Sequence, residues 1–128
     1  MKRLIIVLVL FAAGFAYYWY VWRTDVWIKD GRGVWVERGN PPTKPAEVRA
    51  QEDLLVRARY LHEARKAELD YSSGPCLGEV ATDWVIDIVR SPRDAIDNLA
   101  QNQCEAYRNG DVGHLIEMTA DGEVVKVK

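Results

Sequence analysis

Cysteine and histidine are the most reactive side chains in this sequence. Cys76, Cys104 and His114 could form a thiol site, because a histidine that takes up the sulfur proton leaves a nucleophilic thiolate. Two cysteines are also what a single disulfide requires, and such pairing is usual outside the cytoplasm. We predict a Cys76–Cys104 disulfide. A small anchored thiol-dependent hydrolase or redox protein that uses these three residues is the alternative.

Side chains that could hold a metal or exchange protons are present, but their spacing fits no motif. The candidate zinc ligands are His62, His114, Glu117 and Asp121, but their spacing matches no zinc motif. The candidate calcium ligands are Asp94, Asp97 and Asn98, and they lack the spacing of a calcium-binding loop. Asp83 and Asp87, on either side of Trp84, could act as an acid–base pair, although two acids on a β-rich segment more often lie at the surface. No phosphate-binding loop or nucleophile elbow occurs. We therefore predict no enzyme, no metal site and no cofactor.

The segment that determines where these residues lie in the cell is Leu4–Trp22, which has no charged side chain in 19 residues. A helix of this length spans roughly 28 Å, close to the hydrocarbon thickness of a bilayer. Tyrosines and tryptophans cluster near its end, as at a membrane–water interface. Because Lys2 and Arg3 precede it, the positive-inside rule predicts a cytoplasmic N-terminus. We predict a transmembrane signal-anchor over residues 1–24 that contacts membrane lipid through residues 4–22.

A cleaved signal peptide is the alternative for this segment. Gly14, Phe15 and Ala16 form a small-x-small pattern of the kind that signal peptidase cleaves. Cleavage after Ala16 would release a secreted binding domain. Both interpretations place residues 25–128 outside the cytoplasm.

Residues 25–128 are long enough for one domain with a modest core. All 19 acidic residues but only 14 of the 17 basic residues belong to this part, which gives it a net charge of −5. A negative domain is poorly suited to phosphate backbones and anionic lipid surfaces. We therefore expect no nucleic-acid partner.

Turn-forming residues divide the domain into short strands. Gly31 and Gly33 separate two β-rich triplets, and Asp121-Gly122 separates two alternating segments, so both places predict hairpins. The predicted strands cover residues 26–28, 34–36, 84–89, 114–118 and 123–127. In the 84–89 strand, alternation places Ile86 and Asp87 on opposite faces.

One long amphipathic helix is predicted over residues 46–69. Its apolar stripe contains Ala50, Leu54, Ala58, Leu61 and Ala64, and His62 is expected at the surface or the boundary. Ser91 followed by Pro92 predicts the start of a second, short helix over residues 92–99. A further turn carrying Cys104 is expected over residues 103–108.

Together these features predict an α+β fold: a single N-terminal transmembrane helix, then a small disulfide-tied domain in which the long helix packs on a small, mostly antiparallel sheet. The expected function is that of a membrane-anchored extracytoplasmic interaction or assembly module, for example an accessory subunit of a cell-envelope or membrane complex. Its partner would be a protein of the membrane or envelope. The expected contact surface comprises Trp27, Trp35, Leu54 and Leu61.

Overall fold

A computed structural model describes residues 2–22 and 25–128, and for 2–5 and 21–22 it describes the backbone alone. The elements in chain order are α1 (Lys2–Trp22), β1 (Val26–Lys29), β2 (Trp35–Arg38), α2 (Ala46–Arg65), β3 (Cys76–Ala81), β4 (Trp84–Ile88), α3 (Glu105–Asn109), β5 (His114–Met118) and β6 (Val124–Val127). The fold is α+β, as predicted. The chain divides into an N-terminal unit, Met1–Ile28 with Val36–Lys44, and a sheet unit, Lys29–Trp35 with Pro45–Lys128. The division into residues 1–24 and 25–128 stays a prediction.

Helix α1 carries the segment for which the sequence predicts a membrane span. The side chains of residues 6–20 are exposed, and Phe11, for example, is 78% exposed. Within the described parts of the chain, no helix is long and apolar enough to cross a membrane. The span predicted over Leu4–Trp22 is thus unsupported by the structure, and the side chains of its two end residues lie outside the described part.

The loop that follows β2 returns to β1 within the N-terminal unit. The backbone N–H of Asn40 donates to a carboxylate oxygen of Asp25 at 3.1 Å. The indole Nε1 of Trp27 donates to the carbonyl oxygen of Thr43 at 3.0 Å, and the Lys44 ammonium lies 5.3 Å from the centroid of this indole. Trp27 is therefore half-buried by its own loop.

Strands β1 and β2 form a two-stranded sheet, which confirms the first predicted hairpin. The other four strands form one sheet in the order β3-β4-β5-β6. Pairs β3/β4 and β5/β6 are antiparallel, whereas β4/β5 is parallel, so the sheet is mostly antiparallel as predicted. Strand β3 was not predicted. It is irregular, with two register shifts against β4 and a positive φ of 97° at Gly78.

Helix α2 packs on one face of the sheet through a stripe that differs from the predicted one. Its buried side chains are Val48, Leu54, Leu55, Ala58 and His62. Leu54 and Ala58 agree with the prediction and Leu61 is half-buried, whereas Ala50 and Ala64 are exposed. The buried stripe includes the seven-residue repeat 48, 55 and 62. The predicted stripe, which included Ala50 and Ala64, was therefore rotated by part of a turn from the buried one.

His62 is 1% exposed, which corrects the predicted surface position. Its Nε2 lies 3.1 Å from the carbonyl oxygen of Thr119, and its ring meets the edge of the Tyr71 ring at a centroid distance of 4.9 Å. The Tyr71 hydroxyl donates to the His62 carbonyl at 2.6 Å. These contacts satisfy polar atoms in the core, and they join α2 to the turn between β5 and β6.

The other face of the sheet is covered by the crossover segment, residues 89–113, which connects the two parallel strands. The predicted disulfide is present, with the Cys76 and Cys104 sulfurs 2.05 Å apart, and it ties β3 to this segment. The helix expected over residues 92–99 was wrong. Asp94, not Ser91, is the N-cap, and the element is a 3-10 turn over Ala95–Asn98.

Candidate functional site

Two cavities in the sheet unit bring charged and aromatic side chains together. The larger, here called the aromatic groove, has a volume of about 940 Å³. Its walls are the first half of α2, the tip of the β1/β2 hairpin and one end of the four-stranded sheet. Its lining includes Lys29, Trp35, Glu47, Ala50, Gln51, Asp53, Arg57, Thr82, Trp84, His114 and Lys128.

The sheet wall of the groove carries a stacked pair of rings. Trp84 and His114 are register partners at the start of the parallel strands, and their rings stack at a centroid distance of 4.4 Å with planes 14° apart. His114 Nδ1 lies 3.3 Å from the carbonyl oxygen of Lys128, and Nε2 lies 3.7 Å from a carboxylate oxygen of Asp83. The strand pairing and these contacts hold the two rings in one orientation.

The amide side chain of Gln51 joins the hairpin wall of the groove to α2. Gln51 Oε1 accepts from the backbone N–H of Trp35 at 2.7 Å, and its Nε2 donates to the Gly33 carbonyl at 3.0 Å. The Lys29 ammonium lies 5.2 Å from the centroid of the Trp35 ring, within cation–π range. Sequence reasoning missed Gln51, because both of its partners lie more than a dozen residues away along the chain.

The expected interaction surface is divided by the structure. Trp35 lines the aromatic groove, whereas Trp27 belongs to the N-terminal unit. Leu54 also lines the groove but is only 9% exposed, and Leu61 packs against the main core, so both contribute mainly to the internal contact between α2 and the sheet. Within the sheet unit, the exposed part of the expected surface is therefore the groove side of Trp35.

The second cavity, here called the carboxyl cavity, has a volume of about 490 Å³ and lies between the sheet and the crossover segment. Its lining comprises Asp87, Arg93, Gln103, Cys104, Tyr107, Arg108, Leu115, Glu117 and Lys128. Asp87 and Glu117 are register partners on the parallel strands, so their carboxyl groups share one face of the sheet. They are 2% and 5% exposed.

These two carboxyl groups have different surroundings. Glu117 forms ion pairs with the Arg93 guanidinium and with the Lys128 ammonium, the latter at 2.9 Å. Asp87 Oδ1 is buried without a hydrogen-bond partner among the described residues. Burial, followed by the nearby Glu117 carboxylate, raises the pKa of Asp87 to about 7, and Arg93 only partly opposes this. The strands therefore hold a carboxyl that is partly protonated at neutral pH beside an ion-paired one.

A third carboxylate organises the crossover segment above this cavity. Asp97 is fully buried and accepts from the backbone N–H groups of Arg90 and Asp94 at 3.1 and 2.8 Å, and from the Arg90 guanidinium at 2.8 Å. Burial acts to raise the pKa of Asp97, but these hydrogen bonds and the arginine charge outweigh it and lower the pKa below its usual value. Asp97 thus serves the local structure.

The sites considered from the sequence are not assembled. Cys76 and Cys104 are joined to each other, so neither is a free thiol available to His114. His62 lies in the core on the α2 side, His114 at the aromatic groove and Glu117 at the carboxyl cavity. Among the described residues no group of three or more His, Cys, Asp or Glu side chains could hold a metal ion. Asp83 is exposed near His114, whereas Asp87 is buried at the other cavity, so these two acids do not form a pair.

Comparison with known proteins adds no relative. No family model, no curated protein and no solved structure matches the chain.

Proposed function

We propose that the chain is a binding module, tethered to a membrane and without catalytic activity, which holds a polypeptide segment of a membrane or envelope protein in the aromatic groove. The observation that carries the proposal is the groove itself. Trp35 and the stacked Trp84–His114 pair provide apolar surface on two of its walls, and charged side chains of both signs surround them. Tryptophan, tyrosine and arginine are enriched among the few residues that dominate the binding energy of protein interfaces.

The charges around the groove favour a polypeptide over a small molecule of one sign. Glu47 and Asp53 are acidic, whereas Lys29 and Arg57 are basic. A protein segment with side chains of both signs can place an opposite charge beside each of these residues, whereas a simple cation or anion is repelled by some of them. The cavity also exceeds the volume that one amino-acid side chain requires.

Support for the proposed membrane tether comes mainly from the sequence. Leu4–Trp22 is uncharged, Lys2 and Arg3 precede it, and an exposed apolar surface like that of residues 6–20 is normally covered by lipid or by a partner. The disulfide is typical of proteins outside the cytoplasm. Residues 25–128 then lie on the extracytoplasmic side, and a domain secreted after cleavage at Ala16 is the competing arrangement.

Charge reversal at matched arginines tests the groove. Arg57 lines the groove, whereas Arg59, two residues along α2, is exposed outside its lining. The full chain and its Arg57→Glu and Arg59→Glu variants would be purified from the native membrane, and co-purified proteins quantified. We expect Arg57→Glu, but not Arg59→Glu, to recover about tenfold less of one specific protein than the unaltered chain does, because removing one partner of a charge pair in an interface weakens binding by this amount or more. Equal recovery with all three chains would overturn the proposal.

A further inference from the structure

The carboxyl cavity is lined by a buried carboxyl group, that of Asp87. Asp87 is 2% exposed, and its Oδ1 has no hydrogen-bond partner among the described residues. Buried side-chain oxygens are nearly always hydrogen-bonded, because an unsatisfied one costs about 1–3 kcal/mol. The same side chain lines a cavity large enough for a small molecule.

The charges that face Asp87 come from each element around the cavity. Those that act on Asp87 are Glu117 on β5, Lys128 after β6, and Arg93 and Asp97 on the crossover segment. Arg108 and Tyr107 on α3 line the same cavity. Glu117 is neutralised by Arg93 and Lys128, and Asp97 by Arg90. Arg108 forms no ion pair with another described residue.

We propose that the carboxyl cavity binds a small oxyanion, a carboxylate or a phosphate, between the Arg108 guanidinium and the protonated carboxyl of Asp87. Arginine pairs with planar or tetrahedral oxyanions through parallel N–H donors. A protonated Asp87 supplies an O–H donor to the same anion and thereby gains the partner that the fold does not provide. The two cavities share Lys128, but neither Asp87 nor Arg108 lines the aromatic groove. This site can therefore fail while the proposed function holds, and the reverse.

The proposal predicts that anion binding depends on pH. Because Asp87 must be protonated to donate, and its pKa is about 7, acetate should bind about tenfold more tightly at about pH 6 than at about pH 8. Acetate is a suitable probe because it stays a monoanion across this range.

The measurement is a titration of the isotope-labelled full chain in a non-ionic detergent, followed by NMR and held at constant ionic strength with chloride. Sodium acetate is used at both pH values, and sodium phosphate at the lower pH only. We expect saturable shifts at the amides of Asp87, Arg108 and Glu117. Saturation with acetate alone identifies a carboxylate site, and saturation with phosphate alone identifies a phosphate site.

Three variants separate the site from general charge effects. Asp87→Asn keeps an N–H donor at every pH, so its acetate affinity should differ less than about twofold between the two pH values. Arg108→Gln should weaken binding about tenfold or more at both values, whereas Arg59→Gln should leave it unchanged. The proposal is overturned if neither anion saturates these amides, if Asp87→Asn keeps the tenfold pH effect, or if Arg108→Gln binds as the unaltered chain does.

Discussion

At the scale of single residues, Asp87 and Glu117 show how neighbours decide the state of two similar acids. They face the same side of the sheet at the same register, but the cations Arg93 and Lys128 contact Glu117. Asp87 Oδ1 remains without a hydrogen-bond partner among the described residues, and the pKa of Asp87 is raised. Strand alternation predicted that Asp87 lies on the face opposite Ile86. It could not predict the pairing of Asp87 with Glu117, because the parallel pairing joins segments that are far apart in the chain.

The raised pKa of Asp87 makes stability depend on pH. Between about pH 4 and about pH 7 the folded chain holds a proton that the unfolded chain releases, so stability falls as the pH rises, by about 4 kcal/mol in total. Asp87→Asn cannot titrate, and we expect it to lack this slope of about 1.4 kcal/mol per pH unit. Urea unfolding of the full chain at several pH values measures the difference.

The control for this prediction is Asp111→Asn, which removes an exposed carboxylate from the crossover segment. Its pH slope should equal that of the unaltered chain. If Asp87→Asn kept the original slope as well, Asp87 would not be the group responsible.

At the scale of elements, sequence patterns correctly predicted the hairpins and strands that turn residues and alternation specify. The Asp121-Gly122 hairpin and the strand His114–Met118 were predicted correctly, because turn residues and alternation suffice to specify them. Strand β3 was missed, because Gly78 and the register shifts break its alternation. His62 was misplaced, because its burial depends on the distant Thr119 carbonyl.

The Cys76–Cys104 disulfide, which links β3 to the crossover segment, should supply much of the stability of the sheet unit. The two cysteines are 28 residues apart, and closing a loop of this length stabilises the folded state by about 3–4 kcal/mol in the chain-entropy model. We expect a reducing agent to lower the free energy of unfolding of the unaltered chain by this amount.

A double variant, Cys76→Ala with Cys104→Ala, is the matched control for this prediction. It should have the lower stability from the start and show no further change with the reducing agent. An unaltered chain whose unfolding midpoint does not respond to reduction would show that the disulfide contributes little.

At the scale of the whole molecule, the proposed tether determines which environment the two cavities meet. Mass spectrometry of the intact chain from its native membrane, alkylated with and without reduction, tests this arrangement. We expect the full-length mass, with two alkylation sites that appear only after reduction. A chain that begins at Tyr17 would instead be a secreted domain, and labelling without reduction would contradict an oxidised extracytoplasmic location.

The aromatic groove, by contrast, could not have been predicted as a unit. Trp35 was singled out, but Gln51, Trp84 and His114 join it only because the hairpin tip, α2 and the parallel strands meet there. No spacing along the chain encodes such a meeting of three elements. Binding surfaces built in this way become visible only in the folded molecule.

Site-specific photo-crosslinking in the native membrane tests the binding groove most directly. A photoreactive amino acid would replace Ala50 on the α2 wall or Thr82 on the sheet wall, and Tyr60, which is 79% exposed and outside the groove lining, is the control position. The proposal predicts that the first two positions capture the same polypeptide and that Tyr60 does not. Capture at Tyr60 alone, or of unrelated proteins at the two groove positions, would contradict it.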